Sequence, residues 1–343
     1  MASRQFDEAA GCAGATSAPR VSLSVLTRDA RLFSGLTFNR FRSSLAPLAP
    51  SMVAIGAIAG GRPVGLAIGT CEGGSEAELL SVAVAPAERR RGIGLALLQA
   101  WQGEIARRGA GATIARYSET IPGRAAFEAL LAKTGWSAPV EDGLIVIGRA
   151  GVMAEAAGAW RTIDLRLSRS DLYDYAPVEL SDADVAAVED YLAQPSTAGM
   201  SGPVALAQTM APAFSILIRR QGVLVGWVLA AETESSGAIE QANGGERAIR
   251  YVEAFLDPAY WHSGITIGAY HHCYARQAAL LGRNSIAVYY TNPTKPRMVA
   301  ITRRRFASIA DRIETILAVR CGGVPLSSGT TNPVFSHHER KHP

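Results

Sequence analysis

Residues 78–109 read ELLSVAVAPAERRRGIGLALLQAWQGEIARRG, and the organisation of the chain follows from this stretch. From Glu78 to Ala85 nearly every residue is small or apolar, as in a strand covered on both faces. Pro86 has no N–H to give to a ladder, so the strand ends there. Beyond it, Ile93, Leu97, Trp101 and Ile105 recur at every fourth position with Gln99, Gln102 and Arg107 between them, which predicts a helix packed along one side. The joint is Arg89-Arg90-Arg91-Gly92-Ile93-Gly94. The first N–H groups of a helix have no intrahelical partners and sit at the positive end of its dipole, so they attract anions. Gly92 and Gly94, lacking Cβ, permit positive φ and let an anion approach the backbone, while the three arginines add charge and bidentate donors. The combination predicts a pyrophosphate cradle. It is neither a P-loop, which needs Lys-Ser/Thr after the second glycine, nor the GxGxxG dinucleotide turn. The alternative is a solvated basic loop.

With these residues in place, the stretch resembles the GNAT acyltransferase superfamily, whose signature Arg/Gln-x-x-Gly-x-Gly/Ala joins the central strand to the following helix. Arg89, Gly92 and Gly94 fill its fixed positions. The resemblance implies an α/β (α+β) fold with a mixed, mostly antiparallel central sheet flanked by helices. It implies acetyl-CoA or another acyl-CoA as co-substrate and no metal. The backbone amides of Arg90, Arg91, Gly92, Ile93, Gly94 and Leu95 would hold the pyrophosphate. Main-chain groups of Val82 and Val84 would meet the pantetheine arm and acyl carbonyl as an added strand would.

A chain of 343 residues, 48% of them hydrophobic, can bury a large core and has room for two or three domains. The formal charge of +4 is small for this length, which argues against a nucleic-acid partner and suits an anionic co-substrate. Cys12, Cys71, Cys273 and Cys321 are far apart without CxxC spacing, so neither a zinc site nor a disulfide framework is indicated, and reduced thiols in a cytoplasmic protein are expected. No signal peptide and no apolar run of spanning length is evident, so no membrane partner is expected.

Residues 1–20 are rich in Ala, Gly and Ser and predict a disordered leader; residues 21–150 form the first domain. Val21–Thr27 alternates as an edge strand, and residues 32–45 are loosely helical. Met52–Ile58 and Val64–Ile68 flank Gly60-Gly61-Arg62-Pro63 as a hairpin. Thr113–Tyr117 is a strand, Ala125–Lys133 a helix ending at Gly135-Trp136, and Leu144–Ile147 the strand that closes the first sheet. The family often carries a tyrosine five residues before that aromatic, as acid for the leaving thiol; here the position is Leu131. A thiol with pKa ~8.5 can leave largely as thiolate; Tyr117 is a weak substitute acid, and the favoured reading is an interface or core tyrosine with a satisfied hydroxyl.

The second half repeats the first. Pro258 stands 172 residues after Pro86 (258 − 86), and Gly264 stands 172 after Gly92 (264 − 92). Residues 215–219 and 223–229 form a second hairpin around Gln221-Gly222. A helix over 268–281, a strand over 286–290, a helix over 298–305 and a closing strand over 314–319 follow in the same order. Two GNAT-like domains in tandem are expected, with residues 151–172 as linker, 173–320 as the degenerate copy and 321–343 as a loose tail. Trp261 and Thr266 stand where Arg89 and Gly94 stand, which removes a phosphate charge and crowds the turn. Ser181 and Asp184 predict a helix N-cap, residues 232–246 a polar insertion, and the adjacent His271-His272 a poor metal pair.

Acyl transfer to an amine calls for a base, because an unperturbed alkyl amine with pKa ~10.4 is neutral in only about one molecule in a few thousand at pH 7. Glu78 is the candidate. It matches a carboxylate that some family members use and, four residues before Val82, shares its face unless a bulge intervenes. The expected function is acyl-CoA-dependent N-acylation of a small-molecule or protein amine. The competing readings are a non-catalytic acyl-CoA sensor or scaffold and a thioester decarboxylase. Oligomeric state is left open.

Overall fold

The computed structural model describes residues 21–28, 30–71, 76–158, 173–233, 248–261, 263–291, 293 and 296–322. The expected leader, most of the linker and polar insertion, and nearly all of the tail lie outside them. The strands are β1 (Val21–Leu26), β2 (Met52–Ala59), β3 (Arg62–Thr70), β4 (Glu76–Val84), β5 (Ala112–Ser118), β6 (Val140–Arg149), β7 (Tyr173–Pro177), β8 (Ile216–Arg220), β9 (Val223–Thr233), β10 (Ala248–Leu256), β11 (Ile286–Thr291) and β12 (Arg312–Cys321). The helices are α1 (Asn39–Arg42), α2 (Ile93–Arg107), α3 (Arg124–Ala132), α4 (Ala150–Gly158), α5 (Asp182–Leu192), α6 (Gly202–Ala205), α7 (Ile265–Leu281) and α8 (Pro296–Ile301), the last continued by a π-helical turn over Thr302–Phe306. Among the described residues no helix is long and apolar enough to cross a membrane.

All twelve strands join in one sheet, in the order β1-β2-β3-β4-β5-β12-β6-β11-β10-β9-β8-β7. Only β4–β5 and β10–β11 are parallel. This order corrects one expectation. The strand read as closing the first sheet, β6, pairs with β11 of the second half, while β12, at the end of the chain, pairs with β5 of the first. The two exchanged strands run antiparallel to each other and join the halves. Read from its other end, the sheet repeats the same order, with β7 to β11 and β6 in the places of β1 to β5 and β12. The internal repeat is exact in length at its centre: β10 begins and ends 172 residues after β4 (248 − 76, 256 − 84), and α7 begins 172 after α2 (265 − 93).

Both long helices lie on one face of the sheet. Along β12, alternate side chains share a face; Ile313 packs into the cluster under α7, and Leu317 and Val319 into the cluster under α2. α2 buries Ile93, Leu97, Leu98, Trp101 and Ile105, as the four-residue period predicts. Trp101 packs close against β3 because Gly69 makes room: a Cβ there would sit 2.4 Å from the indole Cζ2 and 2.3 Å from the Glu78 carbonyl oxygen. The opposite face is capped in the first half by the 3-10 turn Arg31–Leu36 with Phe33 and Leu45, and in the second by α5 over Trp227 and Phe255. Residues 151–158, expected as irregular linker, are helical instead. The small residues of α4 bury Ala150, Met153 and Ala154 against α7, a periodicity hidden by their size.

The α5 cap is as read from sequence. Ser181 Oγ accepts from the Asp184 N–H at 3.2 Å, and Asp184 Oδ2 accepts in turn from the Ser181 N–H at 2.9 Å and from Arg219 Nη2 at 2.8 Å. Burial pushes the Asp184 carboxyl upward, but the Arg219 guanidinium and the Ser181 hydrogen bonds outweigh it and hold it below its ordinary value. A folded-state value below the unfolded one contributes stability above the unfolded value, lost as pH falls through the folded one. Ser181→Ala is expected to cost about 1 kcal/mol in urea unfolding at pH 7 with an unchanged m-value. Asp184→Asn is expected to flatten the decline in stability below pH 4; an identical acid decline in the variant would contradict the assignment.

Candidate active site

β4 and β5 pair in parallel only from Glu76 and Ala112 to Leu79 and Ala115. Beyond that point pairing stops, and β5 continues beside β12 alone, as far as Ser118 opposite Ile316. The Ala85 N–H donates to the Val64 carbonyl at 2.9 Å, which fixes the alternation along β4. Residues 83 and 81 also turn their main-chain groups toward β3, so those of Val82 and Val84 turn toward the opening. The Val84 carbonyl is engaged there by Arg89 Nε at 3.1 Å. The signature arginine therefore braces the end of its own strand as well as bringing charge.

The turn that follows holds two left-handed residues, Arg90 (φ 66°) and Gly92 (φ 79°), one residue apart. Left-handed conformation is costly for a non-glycine residue, and such alternation curls successive N–H groups around a concavity. Gly92 caps α2, leading into the amides of Ile93, Gly94 and Leu95. A Cβ added at Gly92 would meet no atom within 4 Å, so the backbone there faces open space that an anion can enter. Arg91 is tied to Glu88 in an ion pair, whereas Arg90 is exposed and has no ion-pair partner among the described residues. A pyrophosphate fits this donor set: bare amides, an uncommitted guanidinium and a positive helix end.

Glu78 does not share the face of Val82. The pairing of Ile68 with Ser81 and of Gly69 with Leu79 leaves Leu80 as an extra residue, and this bulge turns Val82 and Val84 to the α2 face while Glu78 lies on the other. There Glu78 Oε1 accepts from Arg116 Nη1 at 3.2 Å. Arg116 Nε also donates to Asp142 Oδ2 at 3.0 Å, and the Tyr290 hydroxyl donates to the Asp142 carbonyl at 2.7 Å. Sequence reading missed these three residues. Arg116 left one signal, a lone charge inside the apolar strand ATIARYS; Asp142 and Tyr290 left none.

Leu131, at the position of the family's acid, is buried in the core under α2. The Tyr117 hydroxyl donates to Glu128 Oε1 at 3.0 Å, and burial, then that hydrogen bond, pushes it well above the ordinary tyrosine range. Its proton is held more firmly than in a free phenol, which fits the reading of a satisfied core tyrosine.

The second half keeps the shape of the site and changes its chemistry. β10 and β11 pair only to Tyr251 and Tyr289, β10 has its bulge at Val252, and Gly264 (φ 88°) caps α7. Trp261 Nε1 donates to the Leu256 carbonyl at 2.9 Å, the bond that Arg89 makes to Val84 one repeat earlier. The brace survives and the charge is gone. Arg250 stands 172 residues after Glu78 (250 − 78), reversing the sign there. Tyr251, Tyr270 and Tyr274 replace Leu79, Leu98 and Gln102 and pack together with Tyr289. His271 Nδ1 lies 2.9 Å from the Ala154 carbonyl and His272 stacks on Tyr175, so the two rings diverge.

The model of the acetyltransferase (GNAT) family matches residues 29–136. No curated protein matches the sequence. Among solved structures, a tandem GNAT protein from the clavulanic acid biosynthesis pathway superposes with TM-score 0.59 at 14% identity, covering 88% of this chain and 98% of that one. A GCN5-related glucosamine N-acetyltransferase region of a fungal multi-domain β-N-acetylglucosaminidase superposes with TM-score 0.60 at 12% identity, over 89% of this chain. This chain spans 38% of the fungal one. At such identities both likenesses are of fold.

Proposed function

We propose that the chain is a tandem two-domain acyltransferase of the GNAT superfamily, whose model matches part of the first half, and that this first half moves an acyl group, most simply acetyl, from coenzyme A to an amine. The observation that carries the proposal is the edge of β4 that has no strand neighbour beyond Leu79, with the main-chain groups of Val82 turned to the opening, and that leads into the Arg90–Leu95 turn. The Arg90–Leu95 amides and Arg90 would hold the pyrophosphate, Val82 would pair with the pantetheine arm, and its N–H would aim at the thioester carbonyl oxygen. Acceptor and Glu78 would then lie on the sheet face away from α2. Glu78 would take the proton from the amine, directly or through water, as the nitrogen displaces the CoA thiol; such a base contributes roughly 10²–10⁴-fold. The thiol, with pKa ~8.5, can depart without a dedicated acid.

Calorimetric titration with acetyl-CoA is expected to give one site per chain, because Trp261, Thr266 and the tyrosine cluster replace the binding chemistry of the second half. Two sites would overturn that assignment. Release of CoA, followed with a thiol reagent across a panel of alkyl amines, amino sugars and peptide N-termini, tests the reaction. A second reading, an acyl-CoA-binding protein without turnover, is favoured by Leu131 and by the engaged hydroxyl of Tyr117. Tight binding with no amine-dependent release would establish it.

A further inference from the structure

Arg116 links Glu78 to the second half of the chain, and only 8% of its side chain is exposed. Its guanidinium reaches over β12 at Ala318, the residue paired with it, whose methyl leaves room for the crossing. On the far side a bulge presents Asp142: Gly143 pairs with Ile316 and Glu141 with Leu317, so Asp142 is the extra residue of β6. Tyr290 on β11 fixes it, donating to the Asp142 carbonyl at 2.7 Å with Oδ2 at 3.2 Å. The ring lies close over the strand at Gly143, where a Cβ would come within 2.6 Å of it. Nearby, Glu76 pairs with Arg320, and Glu314 with Arg312 and with the Ser118 hydroxyl. One largely buried guanidinium is thus divided between Glu78 and Asp142.

We infer that Asp142 and Tyr290 are positioning residues for acyl transfer, holding Arg116 so that it orients Glu78 without claiming its carboxylate alone. The inference rests on the reading of Glu78 as base. A carboxylate with sole claim on a guanidinium is a weaker proton acceptor; a second carboxylate on the same guanidinium restores its basicity. The second half, whose own ligand chemistry has changed, thereby takes part in the reaction of the first.

The test uses the full chain carrying Asp142→Asn, Tyr290→Phe or Glu78→Gln, and each of the first two combined with Glu78→Gln. Acetyl-CoA affinity is measured by calorimetry. The pH profile of kcat is measured with acetyl-CoA and the best amine of the panel, or water where no amine is accepted. Both positioning variants are expected to bind acetyl-CoA within about twofold of wild type and to lose roughly tenfold in kcat, with no further loss when combined with Glu78→Gln. In Asp142→Asn the acidic limb of kcat is expected to move to lower pH. Wild-type kcat and an unmoved limb in both variants, or full additivity with Glu78→Gln, would overturn the inference while leaving Glu78 as base. A Glu78→Gln enzyme that keeps the acidic limb would overturn both. Tyr290→Phe removes a single oxygen, so it answers the question even if Asp142→Asn folds poorly.

Discussion

Gly92→Glu is expected to weaken acetyl-CoA binding by at least about 100-fold while leaving the protein folded. The space above the Gly92 Cα is open, so the new side chain meets no protein atom within 4 Å. What it meets is the proposed place of the diphosphate, with a negative charge. Hydrogen bonds to charged groups contribute about 1.5–3 kcal/mol each, and displacing two of them costs ~3–6 kcal/mol, or roughly 10²–10⁴ in affinity. The positive φ of 79° adds a separate cost of about 1–2 kcal/mol to folding. Gly92→Asn isolates that cost, because asparagine tolerates left-handed backbone and carries no charge. It is expected to bind within about tenfold of wild type, and thermal unfolding of both variants checks the fold. Undiminished affinity in Gly92→Glu would remove the pyrophosphate from this turn and, with it, the proposed orientation of the thioester.

Glu78→Gln is expected to lower kcat by about 10²–10⁴-fold with acetyl-CoA affinity unchanged within about twofold. Glutamine keeps the length of the side chain and an oxygen for Arg116 Nη1. It cannot take a proton from the amine. The pH profile separates the two roles. A base works as carboxylate, so in the wild type kcat falls as pH drops and Glu78 protonates; in the glutamine enzyme that acidic limb is absent. A lowered kcat with the limb intact would make Glu78 a structural partner of Arg116 only, and a wild-type kcat would remove it from the reaction.

The fold was largely legible because its signals are local. The spacing of Ile93, Leu97, Trp101 and Ile105 places α2, Pro86 ends β4, and Ser181 with Asp184 starts α5, each through contacts within a few residues. The repeat was legible because Pro86 and Pro258, and Gly92 and Gly264, hold one offset between strand and helix in both halves. What could not be read is non-local. Val140–Arg149 and Arg312–Cys321 have the same length, and nothing in either dictates whether it will join β5 or β11. The bulges at Leu80 and Asp142 likewise have no fixed residue signature. That is why the facing of Glu78 and its tie to Arg116 emerge only in three dimensions, whereas the Arg89–Gly94 turn was evident in one.

The crossing of β6 and β12 ties the second half to the first, although Trp261 and Thr266 stand there in place of Arg89 and Gly94. Delete that half, and β5 loses its neighbour from Thr113 to Ser118, exposing a raw ladder of amides and carbonyls to water along the wall of the opening. Neither half is therefore a cassette that can be transplanted alone. Any redesign of the acceptor side must carry both ends of the polypeptide, as though two interlocked subunits had been tied by a single thread.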